Sequence, residues 1–116
     1  MDIGKFPPSL LEKLLKKTGI TDPRVLLGPG LGEDAAVLDL SDTLLVAKSD
    51  PITFATDRIG WYAVQVNAND IACTGGVPRW FLATLLVPEH FTEDQAEDLF
   101  TQVLDACTAI GVTLIG

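Results

Sequence analysis

The chain has 116 residues, enough for one modest domain with its own core. Apolar residues make up 47% and charged residues 21%, the balance of a globular rather than a disordered protein. The net charge of -8, with no basic tract, argues against nucleic acid and anionic membrane as partners, since both are held by clustered Lys and Arg.

The N-terminal "MDIGKFPPSLLEK" lacks the charged-then-apolar layout of a signal peptide, and no apolar run is long enough to span a bilayer. Cys73 and Cys107 lie in apolar surroundings without metal-type spacing, which fits reduced, buried thiols. These features together place the protein in the cytoplasm.

Ser9-Leu-Leu-Glu12 reads as a capping box, followed by Leu10, Leu11, Leu14 and Leu15 at helical spacing and stopped by Gly19. A helix is predicted over about 9–18, with Lys13, Lys16 and Lys17 on a solvated face. Gly28, Pro29, Gly30 and Gly32 mark a loop. Residues 35–40 and 43–48 read as two strands joined at Ser41-Asp42, a candidate hairpin. "SDPITFATD" reads as a loop, because Pro51 excludes regular ladder pairing.

Asp57 is positioned to cap a helix over 58–74 that ends at Gly75-Gly76. Residues 79–87 read as an apolar strand broken at Pro88. Thr92-Glu-Asp-Gln95 is a second capping box. The helix it opens carries Ala96, Leu99, Phe100, Val103, Leu104, Cys107 and Ile110 on one face and stops at Gly111. Residues 112–115 begin a last strand, giving the order α, β, β, α, β, α, β. The chain ends there in mid-strand, so the natural protein is expected to continue beyond Gly116.

On the middle helix, Gly60, Ala63, Asn67, Asp70 and Thr74 fall on one stripe of small or polar residues, while Trp61, Tyr62, Val64 and Ile71 lie off it. Small residues permit close approach, and Asn67 and Asp70 would offer oxygens to whatever approaches. Asn69 points elsewhere on an ideal helix.

Glu33, Asp34, Asp50 and Asp70 are acids at the ends of apolar elements, with few basic residues nearby. Hard oxygen ligands of this kind suit Mg²⁺ bridging to substrate phosphates. The neighbouring glycines allow backbone N–H groups to approach a phosphate. Singly, Asp34 and Asp50 read equally well as turn residues. Lys48 reads either as a phosphate contact or as a strand-end lysine. No GxxxxGK[ST] is present, no GxGxxG precedes a helix, and the single histidine, His90, lies in a polar loop.

"GEDAAVL", "KSDPITF", "IGWYAVQVNANDIACTGGVPRWFLATLLVPE" and "GVTLIG" follow one another in an order that resembles the N-terminal domain of the aminoimidazole ribonucleotide synthetase-like superfamily. That superfamily includes thiamine-monophosphate kinase, selenophosphate synthetase and the hydrogenase-maturation protein HypE. The resemblance covers about 27–116 and leaves 1–26 as an N-terminal helical segment. It implies an α+β fold: a small mixed four-stranded sheet with flanking helices, two such sheets pairing into a barrel across a homodimer. It also implies ATP and Mg²⁺ as cofactors and a phosphoryl-transfer or substrate-activating reaction. Asp34, Asp50 and Asp70 match the metal positions, with Glu33 beside them. Gly30, Gly32, Lys48, Asn67 and Asn69 match or adjoin the nucleotide positions.

Glu33 replaces an aspartate of the family pattern, Lys48 stands where threonine is common, and Cys73-Thr74-Gly75-Gly76 departs from the usual Ala-Met-Gly-Ala. The family's C-terminal α/β domain is absent from these residues, so the isolated chain is expected to be inactive. A HypE-like protein, with a maturation protein as a further partner, is the first expectation. A thiamine-monophosphate kinase-like enzyme and a noncatalytic nucleotide-binding or dimerisation module are the alternatives.

Overall fold

The computed structural model describes residues 4–53 and 57–116. The chain divides into two compact units, Met1–Lys48 and Ser49–Gly116.

In the first unit, α1 spans Pro8–Leu15 and passes into a 3₁₀ turn over Lys16–Thr18. The expected start at Ser9 is corrected by one residue, and the capping box is not made. Pro7 is the N-cap without a side-chain bond, and its carbonyl accepts from Leu10 and Leu11 N–H, both at 3.0 Å. Pro8 takes the first helical position, where its fixed φ suits the helix and its missing N–H goes unused. Glu12 instead pairs with Lys16 at 2.9 Å. Gly19 ends the segment in the left-handed region, as its place in the sequence suggests (φ 54°).

Strand β1 (Val25–Leu27) was not expected from the sequence. Strands β2 (Ala36–Asp39) and β3 (Leu44–Ala47) form the expected hairpin. The three make an antiparallel sheet in the order β1-β2-β3. The β2–β3 ladder runs Ala36↔Ala47, Val37↔Val46, Leu38↔Leu45 and Asp39↔Leu44. Its turn is fixed by the Asp39 carboxylate, which accepts from Ser41 N–H at 2.8 Å while Ser41 takes a positive φ of 74°.

In the second unit, α2 spans Ile59–Cys73, β4 Trp80–Phe81, α3 Glu93–Ile110 and β5 Thr113–Leu114. Asp57 is not the cap of α2. The N-cap is Arg58, in the left-handed region (φ 58°) with its guanidinium 4.7 Å from the Trp61 ring centroid. The Thr92 capping box of α3 forms as expected. Thr92 Oγ1 accepts from Gln95 N–H at 3.2 Å, and Gln95 Oε1 accepts from Thr92 N–H at 2.9 Å. Gly75 (φ 84°) ends α2 and Gly111 (φ 71°) ends α3. In each case the next residue donates to the carbonyl five positions back, Gly76 to Ile71 and Val112 to Cys107.

The expected strand over 79–87 is cut to two ladder residues. It pairs in parallel with β5, Trp80↔Thr113 and Phe81↔Leu114, and α3 is the crossover that a parallel pair requires. The last bond is Ala83 N–H to Gly116 O at 2.8 Å. Leu85, Leu86 and Val87 lie beyond it, and apolar content without a neighbouring strand does not make a ladder. The one mixed four-stranded sheet is therefore replaced, among the described residues, by a three-stranded antiparallel sheet and a two-stranded parallel one.

The core of this unit is Val64, Val103, Ala106, Cys107 and Val112, with Trp61, Phe81 and Leu114 packed against it. Of the face expected on α3, Leu99, Val103 and Cys107 are buried, whereas Ala96, Phe100, Leu104 and Ile110 are exposed. The packed stripe is narrower and turned toward Ala106. The expected loop over 49–57 is described at 49–53 and at Asp57; its positions 54–56 lie outside the described residues.

Candidate functional site

In the first unit the candidate residues gather at one end of the hairpin. Ala36 pairs with Ala47, so Asp34 just before β2 and Lys48 just after β3 leave the ladder from the same end. Lys48 Nζ lies 4.0 Å from Asp34 Oδ1. The lysine side chain is only 7% exposed and the aspartate 72%, so a largely covered cation meets a carboxylate open to water. Sequence alone left Asp34 without a basic partner; the structure supplies one. The carboxylate is so accessible that the pair contributes no more than about 1 kcal/mol.

The loop before Asp34 is a turn, with Glu33 N–H donating to Gly30 O at 3.3 Å. Gly32 has φ 78°, a conformation that favours glycine. Glu33 is exposed, and Ala35 behind Asp34 is buried. The acids therefore stand at the open mouth of a strand whose next residue is anchored.

In the second unit the site is built on α2. Its small-residue stripe is approached closely, as its composition implies, but by two different partners. At Gly60 the partner is α3. A Cβ there would lie 2.7 Å from the Leu99 carbonyl oxygen and 2.9 Å from Gln102 Cβ. Gly60 N–H donates to Gln102 Oε1 at 3.1 Å, and Gln102 Nε2 donates to Asp98 Oδ2 at 2.7 Å. An otherwise orphaned N–H of the first helical turn is thus satisfied from the neighbouring helix.

Two turns further on, the partner is the Asp50 loop. Asn67 Nδ2 donates to the main-chain oxygen of Asp50 at 3.2 Å and to that of Ala63 at 2.8 Å. Asp70, three residues after Asn67, falls on the same face and is half-buried. Asn69 is exposed on another side of the helix, as its position predicts. Asn67 and Asp50 are joined directly. Gln102 was missed in the sequence; its only signal was a glycine in the first turn of an apolar helix, which requires something pressed against it.

Among the described residues no three His, Cys, Asp or Glu side chains group closely enough to hold a metal by themselves. The donors nevertheless suit Mg²⁺. They are carboxylate oxygens, and Mg²⁺ takes one or two of these and completes its shell with substrate phosphate and water rather than a protein cage. Among the described residues no helix is long and apolar enough to cross a membrane.

The chain is similar to thiamine-monophosphate kinase of Aquifex aeolicus, 26% identical over 99% of this chain and 37% of the relative. It is similar to carbamoyl dehydratase HypE of Escherichia coli, 28% identical over 72% of this chain and 28% of the relative. It is also similar to selenide, water dikinase of Aeromonas salmonicida, 29% identical over 97% of this chain and 34% of the relative. It spans about a third of the length of these relatives. No solved structure gives a significant match. The sequence profile of the AIR synthase related protein, N-terminal domain, matches residues 32–116, and the chain belongs to that family.

Proposed function

We propose that this chain is the N-terminal part of an ATP- and Mg²⁺-dependent enzyme that transfers phosphate to its substrate or uses it to activate that substrate. The observation that carries the reading is the attachment of the Asp50 loop to the helix face bearing Asp70, through Asn67. It gives two acids of the expected metal set a common scaffold. Asp50 and Asp70 would hold Mg²⁺ on the ATP phosphates; within the first unit, Asp34 and Glu33 are the acids proposed for the same metal chemistry. Bound Mg²⁺ would neutralise phosphate charge as it develops in transfer. Gly30 and Gly32 would offer backbone N–H groups to phosphate oxygens, while Lys48 and Asn69 contribute a cation and an amide.

Kinase or dikinase stands in the names of two of the relatives, which supports ATP as the co-substrate. The HypE-like expectation is not specifically favoured, because thiamine-monophosphate kinase and selenide, water dikinase stand beside HypE among the relatives. A homodimer belongs to the same reading. Trp80, Leu82 and Leu86 are 63%, 71% and 92% exposed, an apolar strip that a second copy would cover.

Calorimetry on the full-length protein tests this, with ATP titrated in Mg²⁺ and again in chelator. Binding that requires Mg²⁺ supports the reading, and the absence of binding in both arms refutes it. Phosphorylated product from thiamine monophosphate would select the kinase-like form. Light scattering checks the dimer.

A further inference from the structure

We infer that Asn67 is a positioning residue, which acts by pinning the main chain at Asp50 rather than by contacting nucleotide through its amide nitrogen; this rests on the reading of Asp50 as a metal-phosphate ligand.

The side-chain amide has two N–H donors, and two main-chain oxygens take them: Asp50 O at 3.2 Å and Ala63 O at 2.8 Å. The orientation of the carboxamide follows from its partners. With oxygen and nitrogen exchanged, an acceptor would face two carbonyl acceptors, so only nitrogen suits that side. Asn67 is half-buried on the middle of α2, a fifteen-residue helix held against α3. It is a fixed post for an exposed loop.

Asn67 supplies the loop with a contact outside itself. Asp50 is followed by Pro51, which lacks an N–H, so the segment has one fewer backbone donor with which to tie itself down. The carbonyl that Asn67 grips is bonded to the Cα that carries the Asp50 carboxylate. Holding it limits where that carboxylate can go. Asp70 lies on the same helix, so one side chain sets Asp50 in register with the face that presents Asp70. Ligand-orienting residues of this kind characteristically affect affinity without touching the ligand.

A double-mutant cycle in the full-length protein separates positioning from contact. Asn67→Ala should weaken MgATP binding by about 10- to 100-fold. In the Asp50→Asn background the same change should cost less than about twofold, because the group it positions is already altered. Equal losses in both backgrounds, or no loss in either, overturn the proposal. Asn67→Asp, which keeps the size but offers an acceptor to two acceptors, should match the alanine variant, and it replaces that variant if alanine prevents folding.

Amide relaxation reads the clamp independently of nucleotide. Order parameters at Asp50 and Ile52 should fall from about 0.85 toward 0.6 or below in either variant, while those of α2 stay high. Unchanged values at Asp50 and Ile52 overturn the clamp. A wild-type protein that binds no MgATP refutes the functional reading instead, and the relaxation result then decides the clamp alone.

Discussion

Gly60 on α2 meets the main-chain oxygen of Leu99 on α3 at a distance that leaves no room for a side chain, since a Cβ would lie 2.7 Å away. Two helices carry this unit's core, and their contact at this point is backbone against backbone. Gly60→Ala is therefore expected to destabilise the protein by about 1–3 kcal/mol, as overpacking of a tight interior does. Chemical denaturation measures it. Gly→Ala in a helix is ordinarily favourable, so the sign of the change is the informative part.

Two segments spell a capping box, and only one forms it. Thr92→Ala should cost about 1 kcal/mol, because Thr92 Oγ1 caps α3 at Gln95 N–H. Ser9→Ala should leave the melting temperature within error, because the N-cap of α1 is Pro7 and no side chain caps it. Paired thermal melts of the two variants read the contrast.

The same contrast shows what was legible in the sequence. The β2–β3 hairpin and α3 were readable because local signals determine them: a turn at Ser41-Asp42, a cap at Thr92, a stop at Gly111. Strand β1 was not, since three residues between Arg24 and a glycine loop carry too little periodicity, and only pairing with Leu38 and Val37 makes them a strand. The apolar run over 79–87 was overread for the opposite reason, as it has strand composition but a partner only at its start. Of the candidate site, the acids were visible as residue types. Their partners were not, because Lys48–Asp34 and Asn67–Asp50 bring together residues 14 and 17 positions apart.

Arg24 binds Asp22 through its main-chain N–H at 3.0 Å and its Nη2 at 2.7 Å, and holds that carboxyl down at about 2. The folded value lies below the ordinary one of 3.8, so the contribution to stability is complete above that range and is lost as pH falls through about 2. Both groups are exposed, so the effect on stability is small. A carboxyl-detected NMR titration should place Asp22 near this value, and Arg24→Ala should raise it only part of the way to the ordinary one, because the main-chain N–H of residue 24 remains.

The two thiols should separate in reactivity. Against the expectation of two buried thiols, Cys73 is exposed at the end of α2, whereas Cys107 is buried in the core and burial pushes its thiol up. A thiolate-selective reagent should label one site promptly in the native protein and the second only on unfolding. Mass spectrometry identifies which is which, and prompt labelling of Cys107 would contradict the packing of α3.

The central claim is that Asp70, on the helix face to which Asn67 ties the Asp50 loop, serves Mg²⁺ and the phosphates of ATP. Its most direct test is ATP turnover by the full-length protein carrying Asp70→Asn, measured beside its thermal melt. Turnover is expected to be abolished while the melting temperature holds. Undiminished turnover by the folded variant would contradict it.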